Sequence, residues 1–575
     1  MTADEFRSDL RERLNACAGK ALLHIVLDDD LTVKLTGPEI IRRSERLANL
    51  STAAAGQVVL LLLPHSVELF LLQIGLILTG RIPAILPWPT TRVDPEKYQV
   101  NLLHQLRNLP AQEMITTPRL ASVLGAGLPY KVTACAPGGG MRREATFSVE
   151  LPLSEKRGTE SCGLPFKDYA GALFLQFSGG TTGAQKAVVI TAPILTFQLE
   201  SLRQALNFTA TDVVVSWLPL YHDMGLIGCL WLPLWHGAQS IQFAAGDWLL
   251  NPGRLFELID RHKGTFCWLP NFAFSYLAGQ RERMGGPYSL AQMRGFINCS
   301  EPVRLRSMRA FAESFADFGV TLQHVQCSYA MAENVFAVTQ TRLGQEPKTF
   351  ARSMVIEERD RAVLAFDLID ELYVSSGIAL PEMKIRILNS RGRVCSDREA
   401  GEIYLSTPSL FSGYWGPRGF VTSSFGSDGW HNTGDYGFMA DGQLYVIGRL
   451  KDIVIAGGQN IFPEDVETVV NTVTGIYPGR VVAFGISNSH DTESLMVIAE
   501  LKGDYDRDVA MKLEKEISGL VLATIGIAPG RVCVLPERWI VKSTAGKISR
   551  RETRERYLRE RAHLVEQAVG VGATR

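Results

Sequence analysis

Apolar runs rich in β-branched residues recur along this chain, and the stretches between them carry their apolar residues at helical spacing. Val58-Val-Leu-Leu-Leu-Leu63, Val213-Val-Val-Ser-Trp217 and Gly264-Thr-Phe-Cys-Trp268 show little polar alternation, which predicts strands covered on both faces. Pro252 to His262 and Val303 to Phe318 predict helices. The apolar stretch from Val58 to Gly80 is broken by Pro64, His65 and Glu68. A membrane span needs about 20 mostly uncharged residues, so this stretch predicts a buried strand, a turn and a buried helix. Strands of this kind separated by helices predict an α/β fold, with a large body of parallel-rich sheets packed with helices.

Towards the C-terminus the pattern changes. Val481 to Ile486 and Ser494 to Leu501 predict two strands joined by the turn-rich Ser487-Asn-Ser-His-Asp-Thr-Glu493. Asp506 to Leu522 predicts a helix and Arg531 to Leu535 another strand, which together make a small α+β unit. The polar segment Gly448-Arg-Leu-Lys-Asp452 lies between apolar runs and is the candidate boundary, dividing the chain into 1–449 and 450–575. Arg550 to Arg561 interleaves Glu552, Glu555 and Glu560 among its basic residues, which predicts a solvated terminal helix.

Composition narrows the function classes. The chain has 575 residues, and 59 Lys+Arg nearly cancel 60 Asp+Glu, a net charge of -1 that offers no global field for gripping nucleic acid. Its nine cysteines are scattered without a CxxC pair, so neither a disulfide framework nor a zinc ribbon is expected. The opening Met1-Thr-Ala-Asp-Glu-Phe-Arg-Ser-Asp-Leu mixes both charge signs and lacks the apolar core of a secretion signal. The expectation is a cytoplasmic protein without a membrane span.

The sharpest chemical signal is Leu173-Phe-Leu-Gln-Phe-Ser-Gly-Gly-Thr-Thr-Gly-Ala-Gln-Lys186, an apolar strand opening into a loop of small and hydroxylated residues closed by a lysine. Gly179, Gly180 and Gly183 allow backbone N–H groups close to phosphate oxygens, Ser178, Thr181 and Thr182 add hydroxyl donors, and Lys186 supplies positive charge. The spacing is not that of a Walker loop. A loop of this composition is also compatible with an ordinary turn, so its companions decide.

Those companions are Ser216-Trp-Leu-Pro-Leu-Tyr-His-Asp-Met-Gly225, Asn298-Cys-Ser-Glu-Pro302, Tyr329-Ala-Met-Ala-Glu333, Thr433-Gly-Asp435, Gly448-Arg-Leu-Lys-Asp452 and Lys542-Ser-Thr-Ala-Gly-Lys547. In this order they resemble the adenylate-forming superfamily, enzymes that activate a carboxylate with ATP and pass the acyl group to a thiol. The resemblance implies a nucleotide site made of the 178–183 loop, Lys186, Ser300, Glu301, Tyr329, Ala330, Met331, Asp435 and Arg449. Within it, Tyr329 would stack on adenine with Ser300 and Glu301 near the purine edge, while Asp435 and Arg449 would meet the ribose. Glu333 would hold Mg²⁺, a hard ion suited to carboxylate and phosphate oxygens. Lys547, on the smaller unit, would bridge the attacking carboxylate and the α-phosphate, and His222 would lie beside the acyl carboxylate. Lys451 matches the position about which the smaller unit swings. His222 and Asp223 show no metal-ligand spacing with other histidines.

Within the superfamily the chain resembles the fatty acyl-AMP ligases, through Trp217 to Gly228, Leu269-Pro-Asn-Phe-Ala-Phe274 and Asn298 to Arg304. The interval from Tyr329 to Gly377 is 48 residues. Its surplus, about 348–366, resembles the insertion that disfavours the CoA-using orientation in those ligases. This implies an acyl carrier protein acting in trans as the acceptor of a fatty or other carboxylic acid. Gly179 and Ala187 depart from the acyl-AMP ligase pattern, Gly179 towards the aryl-acid-activating branch, and leave the acid class open. An acyl-CoA synthetase and an inactive nucleotide-binding regulator are the alternatives.

Overall fold

The computed structural model describes the chain except 29–30, 90–110 apart from Tyr98, Leu102, Leu106 and Leu109, 125–130, 137–170, 178–185, 356–371, 417–418, 423–428, 457–458, 488–492, 543–546 and 570–575. Two large mixed sheets dominate the body. The nine-stranded sheet runs, edge to edge, Ile378–Ala379, Ala337–Gln340, Val325–Ala330, Gly295–Cys299, Phe266–Leu269, Val213–Ser216, Gln239–Gln242, Ala21–Val26 and Thr32–Thr36. Its six central strands, Val325–Ala330 through Ala21–Val26, pair parallel. Strands 213–216, 266–269 and 295–299 are buried at every position, which is why their sequences lack alternation.

The eight-stranded sheet places Val58–Leu62 between Ile82–Ile85 and Glu113–Thr116, parallel to both. The helix Val67–Leu78, capped by Ser66, follows and is buried along its whole length except Glu68. Gly80, at φ +83, closes the turn that follows this helix, two residues before the strand Ile82–Ile85. Ala172–Phe177 and Ala187–Thr191 pair antiparallel across the phosphate-loop candidate, and Gly413–Gly416 adds to the second of them. A four-stranded antiparallel sheet carries His431–Ala440 and Gln443–Arg449 as a hairpin.

The C-terminal unit has cores of its own, one from Val454 to Val534 and one from Val482 to Tyr557. Ile476–Ser487 and Glu493–Leu501 pair antiparallel, and Arg531–Leu535 joins the latter in parallel. The helix Arg507–Ile525 is capped by Asp506, whose carboxylate accepts from the Asp508 and Val509 amides, and it ends at Gly526 in the left-handed conformation. The helix Arg550–Val569 is not a purely solvated one. Thr553 and Tyr557 are buried, and Arg550 is bound by Glu467 (2.8 Å), Glu464 (2.8 Å) and Asp452 (3.4 Å). Interleaved charges conceal this because Arg550 finds its carboxylates far away in sequence. Among the described residues no helix is long and apolar enough to cross a membrane, and no disulfide joins any two of the eight described cysteines.

Candidate active site

In open α/β sheets ligands sit outside the carboxyl ends of the parallel strands, and there the candidate residues gather. Strand 213–216 runs into the loop bearing His222 and Asp223, strand 295–299 into Ser300 and Glu301, and strand 325–330 into Met331 and Glu333. Register supplies one further pair, since Asp435 and Arg449 are directly opposed across the 431–449 hairpin. Arg449 Nε donates to Asp435 Oδ1 at 3.1 Å, and the Tyr329 hydroxyl donates to Asp435 Oδ2 at 2.6 Å. Asp435 is 8% exposed. Burial pushes its carboxyl above the ordinary value, while Arg449 and the Tyr329 hydroxyl pull it down. Tyr329, 9% exposed, commits its hydroxyl to this cluster.

Glu333 follows from an unusual backbone. Val335 lies at φ +63, ψ −51, and the Phe336 amide donates to the Asn334 carbonyl at 2.6 Å. This is a γ-turn of the rare positive-φ hand, centred on a β-branched residue, a conformation that costs about 1–3 kcal/mol and persists only where its surroundings enforce it. The surroundings do so. Gln176 Nε2, at the end of the strand entering the 178–185 loop, donates to the Val335 carbonyl at 2.9 Å. Asn334 Nδ2 donates to the Ala337 carbonyl at 2.8 Å, and its Oδ1 accepts from the Thr407 and Ser409 hydroxyls at 2.5 and 3.1 Å. The Glu333 carboxylate accepts from the Tyr414 hydroxyl at 2.9 Å, and Lys186 Nζ lies 4.6 Å over the Tyr414 ring. Tyr414 thus ties a carboxylate to the lysine that closes the loop.

The third cluster crosses the candidate boundary. Lys547 Nζ donates to the Ser300 carbonyl at 2.9 Å. Ser300 sits at φ +72, which turns the chain as it leaves its strand. Among the described residues His222 Nε2 is buried without a hydrogen-bond partner, and burial, aided by the Lys547 charge, holds the imidazole down to about 3. Burial raises the Asp223 carboxyl, which Lys547 opposes. Glu333 acts electrostatically on both Asp223 and Asp435, so the three clusters share one region.

Of the residues singled out from sequence, the structure brings together Lys186, His222, Ser300, Tyr329, Glu333, Asp435, Arg449 and Lys547, with Ala330 and Met331 on the intervening segment. Ser178, Gly179, Gly180, Thr181, Thr182 and Gly183 lie outside the described residues, as does the expected insertion beyond 355. Glu301 spends its carboxylate on the Phe272 amide at 2.8 Å, at the start of the helix Asn271–Gly279. Sequence reasoning missed Gln176, Asn334 and Tyr414. Their roles arise from contacts across sheets, and only the polar Gln176 inside an apolar strand could have signalled one.

Comparison with known proteins follows the same lines. The family model described as AMP-binding enzyme matches residues 15–415, ending before Asp435. A Caulobacter vibrioides protein provisionally named an acyl-CoA synthetase is 29% identical over 490 residues, 83% of this chain and 82% of its own. The long-chain-fatty-acid–AMP ligase FadD28 of Mycobacterium tuberculosis is 28% identical over 563 residues, 92% of this chain and 93% of its own. A solved structure from work on fatty acyl-adenylate ligases of E. coli and L. pneumophila shares the fold with a TM-score of 0.78 at 23% identity, over 96% of this chain and 98% of that one.

Proposed function

The chain belongs to the AMP-binding enzyme family, and from that premise we propose that it condenses a fatty acid with ATP to acyl-AMP and pyrophosphate, then passes the acyl group to the phosphopantetheine thiol of a carrier protein acting in trans. The observation that carries the reading is Lys547 of the C-terminal unit seated at the Ser300 carbonyl, beside His222 and within the region of Glu333 and Asp435.

Both reactants are anions, so attack of a carboxylate oxygen on the α-phosphorus needs positive charge held where negative charge is redistributed. Lys547 supplies it at the carboxylate side and Lys186 at the mouth of the 178–185 loop. Asp435 uses two of its acceptor sites on Tyr329 and Arg449, and a carboxylate has about four, which leaves acceptors for ribose hydroxyls. His222, held neutral by its surroundings, adds no competing cation beside Lys547.

For Mg²⁺ the residues fit. No group of three or more His, Cys, Asp or Glu able to hold a metal is found among the described residues, and Mg²⁺ is commonly bound through one or two carboxylates with substrate phosphates and water. Glu333, one of its oxygens taken by Tyr414, is the carboxylate that would hold it. Bound there, the ion would neutralise phosphate charge. We place the division of the chain at 449/450 with Lys451 as pivot, which the separate C-terminal cores support.

The name of the Caulobacter relative favours CoA as a second reading of the acceptor. Incubation with a fatty acid, ATP and either CoA or holo carrier protein separates the two. Thioester should accumulate on the carrier protein and acyl-AMP should persist with CoA; comparable rates on CoA would reject the carrier-protein assignment.

A further inference from the structure

The C-terminal unit meets the body at two places that converge on one short segment. Lys547 reaches Ser300. Asp465, 4% exposed, accepts from Arg352 Nη1 at 3.0 Å and lies 3.9 Å from Arg304 Nη1. Ser300 and Arg304 are four residues apart, and the Arg304 amide is fixed by Asn271 Oδ1 at 3.2 Å. Arg352 is itself held, 7% exposed with its guanidinium 4.5 Å over the Tyr373 ring. It lies on the turn Arg352–Met354 within the start of the expected insertion.

Asp465 is connected to Lys547 by a line of charged contacts. It stands in the first turn of the helix Pro463–Val470, and Glu464 and Glu467 of that helix bind Arg550, three residues beyond Lys547. Arg550 also reaches Asp452 in the boundary segment. Resting on the reading above, we propose that Asp465 is a positioning residue for the adenylation step: docked on Arg352 and Arg304, it fixes helix 463–470 against the body and, through Glu464, Glu467 and Arg550, holds Lys547 at Ser300.

The physical reason is the environment of the pair. Both partners are less than a tenth exposed, and breaking a buried ion pair by removing one partner is strongly unfavourable because it leaves the other charge uncompensated. An orientation of the C-terminal unit that withdraws Asp465 also strips Arg352 of this acceptor. The contact therefore favours the orientation that seats Lys547 and acts on acyl-AMP formation rather than on thiol transfer.

Asp465→Asn keeps the shape and removes the charge; Asp465→Glu keeps the charge. Asp465→Asn should lower kcat of acid-dependent pyrophosphate exchange by about 10²-fold, the scale of a small misplacement of a reacting group, with KM for ATP and acid nearly unchanged. Transfer from preformed acyl-AMP to the thiol should not slow, and Asp465→Glu should recover part of kcat. Arg352→Gln approaches the same contact from the body and should reproduce the loss even if Asp465→Asn folds poorly. Small-angle scattering should show a broader distance distribution for Asp465→Asn but not for Lys547→Ala. An unchanged kcat, a loss confined to KM, equal slowing of both half-reactions, or scattering identical to wild type would overturn the proposal. Should wild type show no exchange at all, the adenylation reading fails, and scattering alone still decides the docking.

Discussion

The Tyr329–Asp435–Arg449 cluster and the Lys547–Ser300 contact serve the same region but are held by different means. In the first, Asp435 and Arg449 face each other because a hairpin register opposes them, and Tyr329 arrives on a buried strand of the neighbouring sheet. Nothing short of local unfolding separates them. In the second, a lysine of the C-terminal unit meets a carbonyl at the end of a body strand, and the contact lasts only while the two units are docked. The first is a fixed cradle; on the proposed function the second is a reversible closure. Substitutions should divide accordingly, the cradle affecting binding and stability and the closure affecting turnover.

Lys547→Ala gives the largest expected effect. Loss of one preorganised group that stabilises transition-state charge costs about 10²- to 10³-fold in rate, so acid-dependent pyrophosphate exchange should fall by that factor. ATP affinity, measured by calorimetry, and the thermal midpoint should stay close to wild type. Exchange at wild-type rates would dissolve the distinction, since Lys547 would then be a surface lysine that happens to reach Ser300.

Asp435→Asn probes the cradle. The amide can accept from Tyr329 or from Arg449 while its NH₂ faces a donor, leaving a buried polar group unsatisfied at about 1–3 kcal/mol. Expected are a lower unfolding midpoint and ATP binding weakened by about tenfold, roughly 1.4 kcal/mol. Asp435→Asn thus moves the two quantities that Lys547→Ala leaves alone. A variant that loses kcat with binding and midpoint intact would place Asp435 with the closure instead.

The difference between cradle and closure also explains what the sequence could reveal. Strands 213–216 and 266–269 were legible because full burial writes itself as uninterrupted apolar residues; the helix expected from Asp506 to Leu522 starts at its Asp506 cap but runs three residues further, to Ile525, where Gly526 ends it. The site residues were legible only through their resemblance to a family, since Asp435 and Arg449 mean nothing until a hairpin opposes them. Contacts made across sheets or between units leave no local trace. Tyr414 under Lys186, Gln176 on the Val335 carbonyl and Arg550 among three carboxylates each depend on partners dozens of residues away. Glu301 shows the converse, a motif residue whose carboxylate is occupied by a helix amide.

The smallest effect lies where cradle and closure act on one group. His222 is held down to about 3 first by burial and then by the Lys547 charge. Burial belongs to the body, and the charge arrives with the docked unit. An unfolded histidine titrates near 6.5, so between about 6.5 and 3 the unfolded chain binds a proton that the folded chain refuses. Stability linked to His222 is then intact above about 6.5 and falls with acidification, by at most about 1.4 kcal/mol per pH unit. Lys547→Ala removes only the second cause. The imidazole should titrate higher than in wild type yet still below 6.5, as read by NMR of ring-labelled histidine, and the loss of thermal midpoint on acidification should cease at a higher pH. His65, His236 and His262, each lowered to about 4 with burial as the main cause and without Lys547 among the others, should titrate unchanged and serve as internal controls. A His222 titration identical in both proteins would mean that the charge at position 547 does not reach it in solution, and the docked geometry would lose its electrostatic support.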